Sequence, residues 1–175
     1  MRNRIFLYEI ISFVFATTVG ILLHFLYKWS GGSVFIAPFA AVTESVWEHL
    51  KLIYWPFLIT TLAGYFITGR RIDNYFFYQA RSMSLGMAFF IIAFYTYSGI
   101  IGTIFLVVDI IIYYIGYIIS YRHSFYCLTV NPSRGSLNYY GGMIFLAYGI
   151  LLIFFTFFTP HLGICLDPNT GLYGI

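Results

Sequence analysis

The sequence predicts an all-α integral membrane protein, a bundle of about five transmembrane helices with its N-terminus inside and its C-terminus outside. Composition is the first observation behind this. Of the 175 residues, 61% are hydrophobic and 9% are charged, whereas soluble domains carry roughly 25% charged residues. The second is the length of the apolar runs, which match the roughly 20 residues that a spanning helix needs. The third is that arginines fall on alternate connections between those runs. A soluble fold of this size exposes too much surface to hide so much apolar area. Too few residues remain for a second domain, so residues 1–175 read as a single transmembrane domain.

Ile5 to Lys28 forms the first span, with Tyr27 and Trp29 placed as interfacial aromatics. Ser30-Gly31-Gly32-Ser33 breaks it. Val34 to Val42 is apolar but too short to cross, and Pro38 interrupts it. It fits a re-entrant or interfacial piece, provided protein covers its backbone. The second span opens at Ser45-Val46-Trp47-Glu48, a capping box whose hydroxyl and carboxylate can satisfy free amides. It runs to about Thr68, with a kink expected at Pro56. Gly69 to Asn74 is a polar turn. The third span covers about Tyr75 to Tyr97 and is broken by Ser98-Gly99. The fourth runs from about Ile100 to Tyr121. Arg122 to Asn138 is a long polar connection that turns at Asn131-Pro132-Ser133-Arg134-Gly135. The fifth covers about Tyr139 to Thr159, and Pro160 stops it.

Five spans place Arg2, Arg4, Arg70, Arg71, Arg122 and Arg134 on the side of the N-terminus, with Lys28 and Lys51 on the other. The positive-inside rule makes the arginine side cytoplasmic. Cys127 is then inside and Cys165 outside, which excludes a bond between them. The net charge of +3 comes without the basic cluster that competes for phosphates, so nucleic acid is not a partner. The N-terminal run is too long for a cleaved signal and has no small-residue cleavage site. P-loop, Gly-rich nucleotide and nucleophile-elbow motifs are all missing from the sequence.

Ionisable chemistry gathers in one place, Thr43-Glu44-Ser45-Val46-Trp47-Glu48-His49-Leu50-Lys51. Glu44 to Lys51, together with Asp167-Pro168-Asn169-Thr170-Gly171-Leu172-Tyr173-Gly174, resembles an uncharacterised family of small bacterial multi-pass membrane proteins. That family carries an E-S-x-W-E-H-x-K motif and a D-P-x-T-G-x-Y-G tail. It has Asn before the first Glu, where this chain has Thr43. The resemblance implies a multi-pass protein of the bacterial cytoplasmic membrane and implies no activity. Ser45-x-x-x-His49 is also similar to an element of the membrane hydrolase superfamily that includes alkaline ceramidases. This chain departs from that pattern in having no His-x-x-x-His and fewer helices.

The predicted topology brings distant polar residues to the outer face. His24 lies near the outer end of the first span, Glu44, Glu48 and His49 open the second, and His161 and Asp167 follow the fifth. His123 falls on the opposite side. Histidine and carboxylate donors suit zinc, and a catalytic zinc keeps one position for water. His24, His49, His161 and Asp167 are the candidate ligands, and Glu44 and Glu48 the candidate bases. Glu44 and Glu48 are four apart and share a face if the helix is continuous. Ser45, Trp47, Lys51 and Asp109 are candidates for a substrate or ion pathway. Asp109 is placed near the middle of the fourth span, close to Tyr113, Tyr114 and Tyr117. The bland alternatives are helix-start chemistry at residues 44–48, a Glu48–Lys51 pair, an interfacial Trp47 and a structural Glu9–Arg81 pair.

The functional reading is a small membrane protein with an outward polar site, fitting a metal-dependent hydrolase with a small-molecule or lipid substrate. Two other classes remain open at this point. One is a binding or transport subunit for a solute or cation. The other is an accessory subunit among other membrane subunits. Membrane lipid is a partner in every case.

Overall fold

The computed structural model of the chain describes residues 2–130 and 137–174. The turn expected at residues 131–135, with Arg134, lies outside them. The helices are α1 (Arg2–Trp29), α2 (Val46–Ile67), α3 (Tyr75–Ile101), α4 (Leu106–Val130) and α5 (Asn138–Phe157). All five are long and apolar enough to cross a membrane, and no strand occurs among the described residues. The chain is therefore all-helical, and the helices support a multi-pass membrane protein.

Three boundaries differ from expectation, the end of α3 and both ends of α4. Ser98-Gly99 does not end α3. The helix runs on to Ile101 and stops at Gly102, whose φ of 78° is left-handed and whose N–H bonds the Ser98 carbonyl. Glycine adopts that conformation without a steric penalty. The fourth helix accordingly starts later, at Leu106, which puts Asp109 in its first turn rather than mid-span. Carboxylates are favoured there by the helix dipole. The Tyr97 hydroxyl donates to Asp109 and accepts the Phe105 N–H, so this group ties α3 to the start of α4. At its other end α4 continues through Arg122 and His123 to Val130, where a loop was expected.

The chain forms two compact units. The first comprises residues 1–14 and 61–142. Its α3 and α4 meet at backbone level. A Cβ on Gly86 would lie 2.0 Å from Ser120 Oγ and 2.6 Å from the Gly116 carbonyl, a small-residue crossing of the kind that packs membrane helices. Glu9 is buried here and accepts from Ser124 Oγ at 2.7 Å, while Gln79 Nε2 donates to the same hydroxyl at 2.9 Å. The expected Glu9–Arg81 pair does not form among the described residues. Hydroxyl and amide groups meet the need of a buried carboxylate for hydrogen-bond partners instead. Asn74 and Asn138 tie the ends of α3 and α5 by reciprocal bonds, Asn74 Oδ1 accepting Leu137 N–H and Asn138 Oδ1 accepting Phe76 N–H.

The second unit comprises residues 15–60 and 143–175. Between α1 and α2 the chain makes consecutive turns rather than a helix, with Ile36 and Ala37 N–H bonding Ser33 O and Phe39 and Ala40 N–H bonding Ile36 O. Donors from α2 take the carbonyls that those turns leave over. Lys51 Nζ reaches Ala37 O at 2.8 Å and Ala40 O at 3.2 Å, and Trp55 Nε1 reaches Pro38 O at 3.0 Å. Ala37 and Ala40 are fully buried. Non-helical backbone is tolerated in a membrane protein where protein covers it in this way.

Candidate metal centre

Three stretches of the second unit deliver the site. The end of α1 is a Schellman motif. Gly31 N–H bonds Lys28 O, Gly32 N–H bonds Tyr27 O, and Gly31 and Gly32 have φ of 70° and 77°. This fixes the last turn of α1, one turn beyond His24. The start of α2 is set by Ser45, whose Oγ accepts the Glu48 N–H at 3.3 Å and the Thr43 hydroxyl at 3.0 Å. Only this half of the capping box forms, because the Glu48 carboxylate turns elsewhere.

Ser45 as the cap has a consequence for Glu44. It lies before the first helical residue, Val46, so Glu44 and Glu48 do not share a helical face as a spacing of four had implied. Glu44 instead turns to the two histidines. Its carboxylate oxygens lie 3.9 Å from His24 Nε2 and 3.5 Å from His49 Nε2. The imidazole centroids are 5.2 Å apart. One donor atom from each of His24, Glu44 and His49 lies within 4.8 Å of the others, an arrangement that could hold a metal ion.

The protonation of His49 follows from its partner. Its Nδ1 is 2.8 Å from the Ser45 carbonyl, and a carbonyl can only accept. Nδ1 therefore carries the proton, and in the neutral ring Nε2 presents a lone pair to Glu44. A lone pair and a carboxylate oxygen at 3.5 Å repel each other unless a proton or a cation lies between. Metal-ligating histidines are held by the same second-nitrogen bond to a carbonyl. His24 Nδ1 is buried without a hydrogen-bond partner.

The tail reaches the site through one residue. Asp167 Oδ1 accepts Asn169 and Thr170 N–H, and Gly171 N–H bonds the Asp167 carbonyl, which closes a tight turn with Gly171 at φ 71°. Its Oδ2 accepts the Glu44 N–H at 3.2 Å. Asp167 thus anchors the backbone of Glu44 with a carboxylate already occupied by amides. His161 is exposed and rests on the Tyr173 ring, with centroids 4.7 Å apart, outside the three-residue cluster.

Glu48 and Lys51 form a separate buried knot. Lys51 Nζ is 2.5 Å from Glu48 Oε2, which also accepts Val42 N–H, while Oε1 accepts the Thr156 hydroxyl at 3.2 Å. Trp47 packs on Phe155 at 5.2 Å with its Nε1 buried and without a hydrogen-bond partner. Cys165 is 1% exposed. Burial, reinforced by the Glu48 charge, pushes its thiol pKa up, the opposite of what a thiol nucleophile needs.

A cavity of about 580 Å³ opens beside the cluster, bordered by His24, Glu44 and Asp167 and by Phe25, Lys28 and Val42 among others. The family of unknown function DUF6512 matches residues 2–175. The chain belongs to that family. No curated protein and no solved structure matches it. In this DUF6512 protein the E-S-x-W-E-H-x-K stretch therefore splits into two jobs: Glu44 and His49 form the cluster with His24, of which His24 and Glu44 border the cavity, while Glu48 and Lys51 fasten the turns that precede α2. Sequence reasoning missed Lys28 and Tyr27 as cavity residues, although Lys28 stands four after His24 and so shares its helical face.

Proposed function

We propose that this DUF6512 protein is a zinc-dependent membrane hydrolase centred on His24, Glu44 and His49. The observation that carries the reading is the convergence of these three donors from two segments, with His49 oriented by the Ser45 carbonyl and Glu44 by Asp167. Two histidines and one glutamate are a donor set of catalytic zinc, which leaves a fourth position for water. Such an ion, held by His24, Glu44 and His49, would supply polarisation and lower the pKa of a bound water to about 7. The net reaction adds the water oxygen to the acyl or phosphoryl centre, breaks the ester bond and returns the proton to the leaving oxygen. Asp167 keeps Glu44 in place, and Glu48 is too deeply buried and paired to act as base.

The test is hydrolysis of chromogenic carboxyl and phosphate esters by purified, zinc-loaded protein. Activity should vanish with a chelator, return with zinc, and fall more than about 100-fold in Glu44→Ala, since a ligand matters at least as much as its outer partners. Activity in Glu44→Ala or in chelated protein equal to that of the untreated, zinc-loaded wild type would overturn the reading.

The arginine partition supports an external site in a cytoplasmic membrane. Both natural cysteines are buried, so the probe is Asn169→Cys, at an exposed tail position, in a chain with Cys127 and Cys165 replaced. An impermeant maleimide should label it on intact cells. Labelling only after lysis would place the site on the cytoplasmic face.

A further inference from the structure

We infer that Lys28 is the anion-recognition residue of this centre, and that the group it takes is the phosphate of an anionic amphiphile. The inference rests on the metal-centre reading above. Lys28 lines the same cavity as His24 and Glu44. It follows His24 by four residues, so the two side chains leave one helical face about 6 Å apart along the axis. The Schellman turn through Gly31 and Gly32 fixes the backbone at that point. No ion pair takes Lys28 among the described residues. The other carboxylate bordering the cavity, Asp167, has its oxygens on backbone N–H groups.

Charge then selects the ligand. A divalent ion held by one carboxylate leaves a net positive centre, and the Lys28 ammonium adds a second positive point on the same wall. Two positive points on one cavity wall suit a tetrahedral group that offers oxygens in two directions. Phosphate does this, with lysine acting as a point charge and the metal as Lewis acid on a phosphoryl oxygen. A Cβ on Gly31 would meet nothing within 4 Å, so this wall has open room beside Lys28.

The apolar surroundings point to an amphiphile rather than free phosphate. Phe25 borders the cavity and stacks on Trp29 at 5.7 Å. Both are exposed, as are Val34 and Phe35 just beyond Gly32. Exposed aromatic and aliphatic side chains next to a cationic pocket fit a headgroup bound inside and acyl chains outside.

The experiment uses full-length protein in detergent, loaded with cobalt as a spectroscopic stand-in for zinc. Short-chain phosphatidate, short-chain phosphatidylcholine and inorganic phosphate are titrated while the visible cobalt bands are recorded. Phosphatidate should shift the bands and bind at least ten-fold more tightly than the other two. Lys28→Ala should weaken phosphatidate at least ten-fold with cobalt affinity unchanged, and Lys28→Arg should restore most of the loss. Equal phosphatidate affinity in Lys28→Ala overturns the role of Lys28. Inorganic phosphate binding as tightly as phosphatidate overturns the amphiphile assignment, and phosphatidylcholine doing so overturns the anionic phosphate headgroup. A wild-type protein that takes no cobalt overturns the metal centre, and this inference falls with it.

Discussion

Lys51→Met should destabilise the protein by about 3–5 kcal/mol, the range for removing one partner of a buried ion pair. Lys51 is fully buried, and its ammonium donates to Glu48 and to the carbonyls of Ala37 and Ala40. Methionine matches its length but supplies no donor. Glu48 would keep its Val42 and Thr156 donors and lose its counter-charge, and the two turn carbonyls would lose their side-chain partner. The double variant Glu48→Gln/Lys51→Met removes both charges and should be destabilised by clearly less than the sum of the single variants. Thermal or denaturant unfolding in detergent, followed by circular dichroism, measures this. Additive losses would show that the pair is not a coupled unit.

His49→Ala should lower zinc affinity by more than about 100-fold, since even residues that only orient a metal ligand contribute about 10–100-fold. His24→Ala should behave alike. Both side chains are only partly buried, so the folded state should survive, and unfolding midpoints provide the control. His161→Ala should leave affinity unchanged within error, because its ring lies on Tyr173 outside the cluster. A zinc dissociation constant measured by competition with a chromogenic chelator separates these cases. Unchanged affinity in His49→Ala would remove it from the ligand set.

The helices were legible in the sequence because length and hydropathy alone decide whether a run can cross a membrane. Their ends were less so. Ser98-Gly99 and Gly102 are both plausible stops, and the left-handed conformation at Gly102 decided between them. That choice moved Asp109 from mid-span, close to Tyr113, Tyr114 and Tyr117, to a helix start, where it anchors Tyr97.

At the site, the histidines could be placed by topology, since His24 and His49 flank the same connection. The division of labour between Glu44 and Glu48 could not. The spacing of four promises a shared face only inside a helix, and the cap at Ser45 leaves Glu44 outside it. The tail was partly legible: Asp-Pro-Asn-Thr-Gly is turn chemistry on its face, and the Asp167 side chain closes that turn. Its bond to the Glu44 N–H is a tertiary contact across more than a hundred residues, which no local pattern announces.

X-ray absorption at the zinc edge of the as-purified protein is the most direct test of a metal at His24, Glu44 and His49. One zinc per chain is expected, with a first shell of nitrogen and oxygen at about 2.0–2.2 Å, outer-shell scattering from two imidazoles, and loss of the edge signal in His49→Ala. A metal-free protein that takes up no zinc on addition, or a first shell containing sulfur at about 2.3 Å, would contradict it.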